Sequence, residues 1–146
     1  MKIGVIGQGF VGTAVKKVMS NYYDIETFDI AKSSTCDSLE ELISTVDIIF
    51  LCVPTPMNLD GSCNIDIVIN TISDINQLID KKTVVVIKST IPPGTTEALN
   101  KAYENIDIVF NPEFLTEANF IDDFKAQNRF IIGGPRPASP KVRQLY

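Results

Sequence analysis

The sequence predicts an α/β domain: a doubly wound, mostly parallel six-stranded sheet with helices on both faces. Three observations predict it. Short, solidly apolar runs recur along the chain, and strands of that kind belong to parallel sheets covered on both sides. The runs alternate with amphipathic stretches of helical period, the pattern of right-handed βαβ crossovers. The first run leads straight into a glycine-rich turn, Gly7-Gln8-Gly9-Phe10-Val11-Gly12, from which a helix starts.

In chain order, Lys2 to Ile6 reads as a buried strand. Val11 to Ser20 reads as a helix with Val11, Val15 and Val18 on one face. Asp24 to Asp29 alternates and reads as the second strand. Ser38 to Ser44 reads as a short helix, with Ser38 as N-cap and Glu41 at the capping-box position. Asp47 to Val53 is apolar and is stopped by Pro54 and Pro56, which makes it the third strand. Asn58 to Asn64 contains Asp60-Gly61 and reads as a loop. Ile65 to Leu78 has helical period, and Thr83 to Ile87 is the fourth strand. Pro92-Pro93-Gly94 opens a helix running through Tyr103, proline being tolerated in a first turn. Ile106 to Phe110 is the fifth strand, Glu117 to Lys125 a short helix, and Arg129 to Ile132 a sixth strand. Lys141 to Tyr146 begins a further helix.

Composition narrows the chemistry. The 146 residues suffice for one domain with one good core, and the net charge of -5 with scattered basic residues argues against a nucleic-acid partner. No apolar run approaches the roughly 20 residues that span a bilayer, so no membrane partner is expected. Three unpaired cysteines, Cys36, Cys52 and Cys63, fit a cytoplasmic protein with free thiols, without a disulfide framework or metal site. There is no histidine, which excludes a Ser-His-Asp triad within this chain. Proton chemistry must fall to carboxylates, lysines, hydroxyls or thiols.

The glycine turn points to a dinucleotide. Gly7 permits the tight turn, Gly9 lets backbone approach a pyrophosphate, and Gly12 lets the helix lie close to the strand. Phe10 and Val11, between Gly9 and Gly12, would also touch the cofactor where the helix begins, its free N–H groups and positive dipole end facing the phosphates. Asp29 follows Gly9 by 20 residues, at the end of the second strand. A carboxylate there accepts ribose hydroxyls and repels a 2′-phosphate, favouring NAD over NADP; nearby Lys32 weakens the preference. These features together describe a Rossmann-type domain.

Four later segments are unusual: Val53-Pro54-Thr55-Pro56, Lys88-Ser89-Thr90-Ile91-Pro92-Pro93-Gly94, Asn111-Pro112-Glu113-Phe114-Leu115-Thr116-Glu117 and Asn128 to Gly133. With the glycine loop, their order and spacing resemble the N-terminal domain of the UDP-glucose/GDP-mannose dehydrogenase family across almost the whole chain. The resemblance implies oxidation of a nucleotide-sugar primary alcohol to a carboxylate with two NAD⁺, through a cysteine thioester formed in the family's second half. It implies that Thr90 positions a water or polarises the reacting oxygen, that Glu117 serves acid/base work in hydrolysis, and that Glu113 lies near the sugar. Val53, Pro54, Thr55, Pro56 and Ser89 would line the nicotinamide side, with Thr90 and Glu117 also touching the cofactor. Four-residue spacing would put Glu113 and Glu117 on one face if that stretch is helical. Alternatively Glu117 only complements a helix dipole, and Thr90 only caps the next helix. Cys52 reads as an inert core residue, and Lys88 receives no role.

The sequence departs from the family twice. The connection from Ile30 to Val46 is short, and Ser34 stands where the family has a basic residue after the acid. Residues 1–146 match the NAD domain alone. The central helix, the possible homodimer contact, the cysteine, lysine and asparagine of the active site and most nucleotide-sugar contacts belong to the family's second half. The expectation is a chain that binds NAD without completing the oxidation. Two other readings stay open: a non-catalytic NAD-binding module, and the NAD domain of a 6-phosphogluconate or β-hydroxyacid type of dehydrogenase.

Overall fold

In a computed structural model describing Met1–Tyr146, β1 (Lys2–Ile6), β2 (Asp24–Phe28), β3 (Ile48–Leu51), β4 (Thr83–Ile87) and β5 (Ile106–Phe110) form one sheet. All neighbours are parallel, in the order β2-β1-β3-β4-β5. The helices are α1 (Phe10–Met19), α2 (Leu39–Thr45), α3 (Asp66–Leu78), α4 (Thr95–Ala102), α5 (Phe120–Ala126) and α6 (Ala138–Arg143).

The period-two geometry of a strand sends alternate side chains to opposite faces. Along β3, Ile49 and Leu51 enter a core completed by Leu42, Ile43, Val68, Ile72 and Leu99 of α2, α3 and α4. Ile48 and Phe50 enter the other core, with Ala14, Val15, Phe124 and Val142 of α1, α5 and α6. Both central strands, β3 and β4, are buried throughout, whereas the edge strand β2 is half-exposed. That is why the former read as unbroken apolar runs and the latter alternates. In α3 the buried residues Val68, Ile72 and Ile75 follow the helical period.

The expected sixth strand is a correction. Of the segment from Arg129 onward, only Gly133 pairs with the sheet, in an antiparallel bridge to Phe110. Pro135 and Pro137 follow directly and cannot donate to a ladder, and the Ile131 carbonyl accepts instead from the Asn111 side chain at 2.8 Å. Phe130 and Ile131 stay exposed.

Ser38 caps α2 as expected, accepting from Glu41 N at 3.1 Å. The reciprocal bond of the capping box is shifted by one residue: Glu41 Oε2 accepts from Asp37 N at 2.7 Å. The short Ile30 to Val46 connection adds no strand outside β2. The chain leaves β1 toward β2 and returns to β3 on β1's other side, so the winding reverses between β1 and β3. Ligands of open α/β sheets sit beyond the carboxyl ends of the strands at such a reversal.

Candidate functional site

At that reversal the chain turns on Gly7, whose φ of +92° lies in the left-handed region and whose Cβ would sit 2.6 Å from the Cys52 carbonyl oxygen. A Cβ on Gly12 would lie 1.8 Å from the Gly7 carbonyl oxygen, so α1 reaches β1 only with glycine there. Gly9 is different. Its φ of -69° suits any residue, and a Cβ would meet no atom of the protein within 4 Å. The fold does not need glycine at this position; its absent side chain leaves the outer face of the loop clear.

Over that face stands the start of α1. No side chain caps it, and the N–H groups of Phe10, Val11 and Gly12 have no partner within the protein. Unpaired donors and a positive dipole end make this an anion seat. Phe10 also packs edge-on against Phe120, with centroids 5.5 Å apart, which fixes α5 beside α1.

Asp29 lies behind the loop. Its Oδ2 accepts from Gln8 N at 2.6 Å, and its Oδ1 from Ala31 N and Lys32 N at 2.8 and 3.0 Å. Lys32 Nζ donates to the Gln8 carbonyl at 2.7 Å. The carboxylate therefore holds the glycine loop to the end of β2. Burial alone would raise the Asp29 pKa, but the three backbone N–H groups outweigh it and hold it below the ordinary 3.8. A lowered folded pKa gives stability that is complete above the unfolded value and lost as pH falls through the folded one. Asp29→Asn is expected to be less stable than the parent in urea melts at about pH 7. The gap should narrow as pH falls below the ordinary carboxylate value of 3.8 and through the lowered folded one, and a pH-independent gap would remove the charge from the explanation.

Four strand ends converge on a cleft of ≈ 340 Å³. Gly9, Phe10 and Val11 line it from the first turn, and Val53, Pro54 and Thr55 from the end of β3. Lys88, Ser89 and Thr90 come from the end of β4, and Glu113 from the end of β5. Ser89 Oγ donates to the Val53 carbonyl at 2.6 Å, tying two of these loops together. Thr90 does not cap α4, whose N-cap is Gly94. Its hydroxyl has no hydrogen bond within the protein and is free for a ligand. Pro56 is exposed beyond the rim.

The two glutamates part company. Residues 111–116 are irregular, Glu117 lies in the turn before α5, and that helix begins only at Phe120. The spacing therefore does not place them on one helical face. Glu113 points into the cleft wall, while Glu117 is exposed and does not line the cleft.

Glu113 pairs instead with Lys88, both side chains being almost wholly buried. Lys88 Nζ also donates to Asn111 Oδ1 at 2.8 Å and to Tyr146 OH at 3.0 Å, and Gln127 Nε2 donates to Glu113 Oε2 at 2.7 Å. Tyr146 OH donates to Asn111 Oδ1 at 2.6 Å. Burial lowers the Lys88 pKa while Glu113 works against that shift; burial raises the Tyr146 phenol. Sequence reasoning gave Lys88 no role and missed Asn111 and Tyr146. A lysine directly after a buried strand was the available signal, but its partner lies 25 residues on, set by the register of β4 against β5. Cys52 also lines the cleft, yet burial pushes its thiol up to about 12, so it stays protonated and unreactive.

A glycine turn at a sheet reversal, an uncapped helix start and an acid at the end of β2 define a dinucleotide-binding α/β domain. The chain belongs to the UDP-glucose/GDP-mannose dehydrogenase family, matching the model of its NAD binding domain over residues 30–146. UDP-glucose 6-dehydrogenase of Pseudomonas aeruginosa is 30 % identical, over 83 % of this chain and 29 % of its own length. An uncharacterised protein of Methanocaldococcus jannaschii is 32 % identical, over 91 % of the chain and 18 % of its own length. Among solved structures, a UDP-glucose dehydrogenase from Pyrobaculum islandicum superposes with a TM-score of 0.86 at 24 % identity, over 99 % of this chain and 43 % of its own. The GDP-mannose dehydrogenase of Pseudomonas aeruginosa gives 0.84 at 19 %, over 100 % and 44 %. The chain thus spans less than half the length of these relatives.

Proposed function

We propose that residues 1–146 form the NAD-holding part of a nucleotide-sugar 6-dehydrogenase of the UDP-glucose type. The observation that carries this reading is the convergence of four strand-end segments on one cleft beside an open glycine loop and an uncapped helix. The pyrophosphate would lie over Gly9 on the N–H groups of Phe10, Val11 and Gly12. The adenosine ribose would reach Asp29, and the nicotinamide the cleft bounded by Val53, Pro54, Thr55, Ser89 and Thr90. When bound, NAD⁺ supplies a hydride acceptor.

The protein's own contribution is position and charge. Thr90 offers a free hydroxyl at the cleft mouth, and Glu113 is held by Lys88 and Gln127 at its wall. Glu117, on the exposed turn, would contribute only once substrate or further protein covers that turn. None of the cleft's groups is a reactive thiol, so covalent chemistry would need a cysteine supplied from outside these residues.

Calorimetric titration with NAD⁺ and NADP⁺ tests the reading. NAD⁺ is expected to saturate, and NADP⁺ to bind more weakly. Asp29→Ala should weaken NAD⁺ by about tenfold, as loss of a charge-assisted hydrogen bond does, and narrow its lead over NADP⁺. Equal loss for both cofactors would reduce Asp29 to a brace for the loop. No binding of either would overturn the reading for this chain.

A further inference from the structure

Asp29 is nearly spent before any ribose arrives. A carboxylate offers about four lone-pair positions, and the N–H groups of Gln8, Ala31 and Lys32 take three of them. A ribose brings a 2′- and a 3′-hydroxyl. Asp29 has room to accept from one, so the other needs a second partner.

Lys32 stands beside it. It is the sole basic residue between Lys17 and Lys81, a stretch otherwise rich in carboxylates. Its ammonium is fixed against the glycine loop by the 2.7 Å bond to the Gln8 carbonyl, and the N–H of the same Gln8 lies on Asp29. No carboxylate neutralises it: the protein's ion pairs use Lys2, Lys82, Lys88 and Lys101. An ammonium carries three donors, and the Gln8 carbonyl occupies one. From Ile30 to Cys36 the chain has no acidic residue, and the exposed Ser33 adds a hydroxyl to the same turn. The 2′ group of a dinucleotide therefore meets a carboxylate and an uncompensated ammonium together. A 2′-hydroxyl can use both. A 2′-phosphate is repelled by the first and attracted by the second, and the two charges oppose each other.

We propose that Lys32 is the cofactor-selecting residue of this site, and that through it the site takes NADP⁺ as well as NAD⁺. The inference rests on the dinucleotide reading of the glycine loop. Asp29 alone would exclude a 2′-phosphate; a basic residue after the second strand is how such domains receive one. Here both residues are present and both are held by the same loop residue, Gln8. Selectivity is then the difference between two nearby charges, and removing the positive one should sharpen it.

The test is calorimetry of this chain with NAD⁺ and NADP⁺ as separate titrants, for the parent, Lys32→Met and Lys32→Arg. The parent is expected to bind both, with NAD⁺ ahead by less than about tenfold. Lys32→Met keeps the stem and removes the charge. It should weaken NADP⁺ by about tenfold or more, the loss of a charge-assisted contact, and NAD⁺ by about threefold or less, because a hydroxyl gains less than a phosphate from the same charge. Lys32→Arg should restore NADP⁺. In the parent NADP⁺ should lose affinity with salt more steeply than NAD⁺, and that difference should shrink in Lys32→Met. Lys32 is exposed, and the Gln8 carbonyl keeps the Thr13 hydroxyl at 3.2 Å, so both variants keep the fold. Equal loss of both dinucleotides in Lys32→Met would make the lysine a brace for the loop and overturns the proposal, as does a ratio that the variant leaves unmoved. A parent that saturates with NAD⁺ and rejects NADP⁺ overturns it too, with the cofactor reading intact. A chain that binds neither overturns both.

Discussion

Gly9→Val is expected to abolish NAD⁺ binding and leave the melting temperature within a degree or two of the parent, while Gly12→Val should fail to fold. The two glycines stand three residues apart in one motif, yet the protein uses them for different ends. At Gly12 a Cβ would overlap the Gly7 carbonyl oxygen at 1.8 Å, and both partners are backbone. Relief would require α1 to move off β1, opening the core around Ala14, Val15 and Ile3. Overpacking of one or two methylenes already costs about 1–3 kcal/mol, and a rigid backbone clash exceeds it. Domains of this size hold only about 5–15 kcal/mol in total. At Gly9 nothing of the protein lies within 4 Å of the added carbon, and φ is ordinary. The valine branches would instead stand where a pyrophosphate has to approach the N–H groups of Phe10, Val11 and Gly12. Circular dichroism melts and NAD⁺ titration of both variants check the contrast. Gly9→Val that binds NAD⁺ normally would move the phosphates off this loop; Gly9→Val that unfolds would mean that the open face is needed by the fold itself.

The sequence was most legible where local pattern and tertiary role coincide. Thr83–Ile87 and Ile106–Phe110 were read to the residue because each is an apolar run bounded by charged or turn-forming residues, and both lie in the buried part of the sheet. Arg129 to Ile132 carried the same apolar signature and is not a strand. Pairing depends on a neighbour's free edge and on the prolines that follow, and periodicity reports neither. The glycine loop, Asp29 and the strand-end segments were legible because their chemistry is local. The Lys88–Glu113 pair was not, because residues 88 and 113 meet only through the β4–β5 register. For the same reason the four-residue spacing of Glu113 and Glu117 suggested a shared face that the irregular 111–116 backbone does not provide.

That buried pair sets the second large effect. Lys88→Met should lower stability by about 3–5 kcal/mol, the cost of leaving one buried charge without its partner. For a domain of this length, that is a fall of roughly 6–20 °C in melting temperature. The side chains of Lys88 and Glu113 are 0 % and 4 % exposed, so water cannot replace the missing ammonium. Gln127 Nε2 would be left as the one side-chain hydrogen bond to the carboxylate. Asn111 Oδ1 would keep Tyr146 OH. Methionine fills the stem of the lysine within the same setting of Phe50 and Phe124, whose rings now lie 5.8 Å from the ammonium, so the loss is one of charge and not of volume. Adding Glu113→Gln removes the orphaned charge, and the double variant should recover much of the deficit. A coupling of about 2 kcal/mol or more in the double-mutant cycle is expected of directly contacting residues. A cycle that closes with no coupling would show that the two charges do not depend on each other, and Glu113 would then need another reason to stand at the wall of the cleft. With the coupling present, the lysine holds the carboxylate in place at the cleft wall that Thr90 also lines, where a ligand in the cleft would meet it.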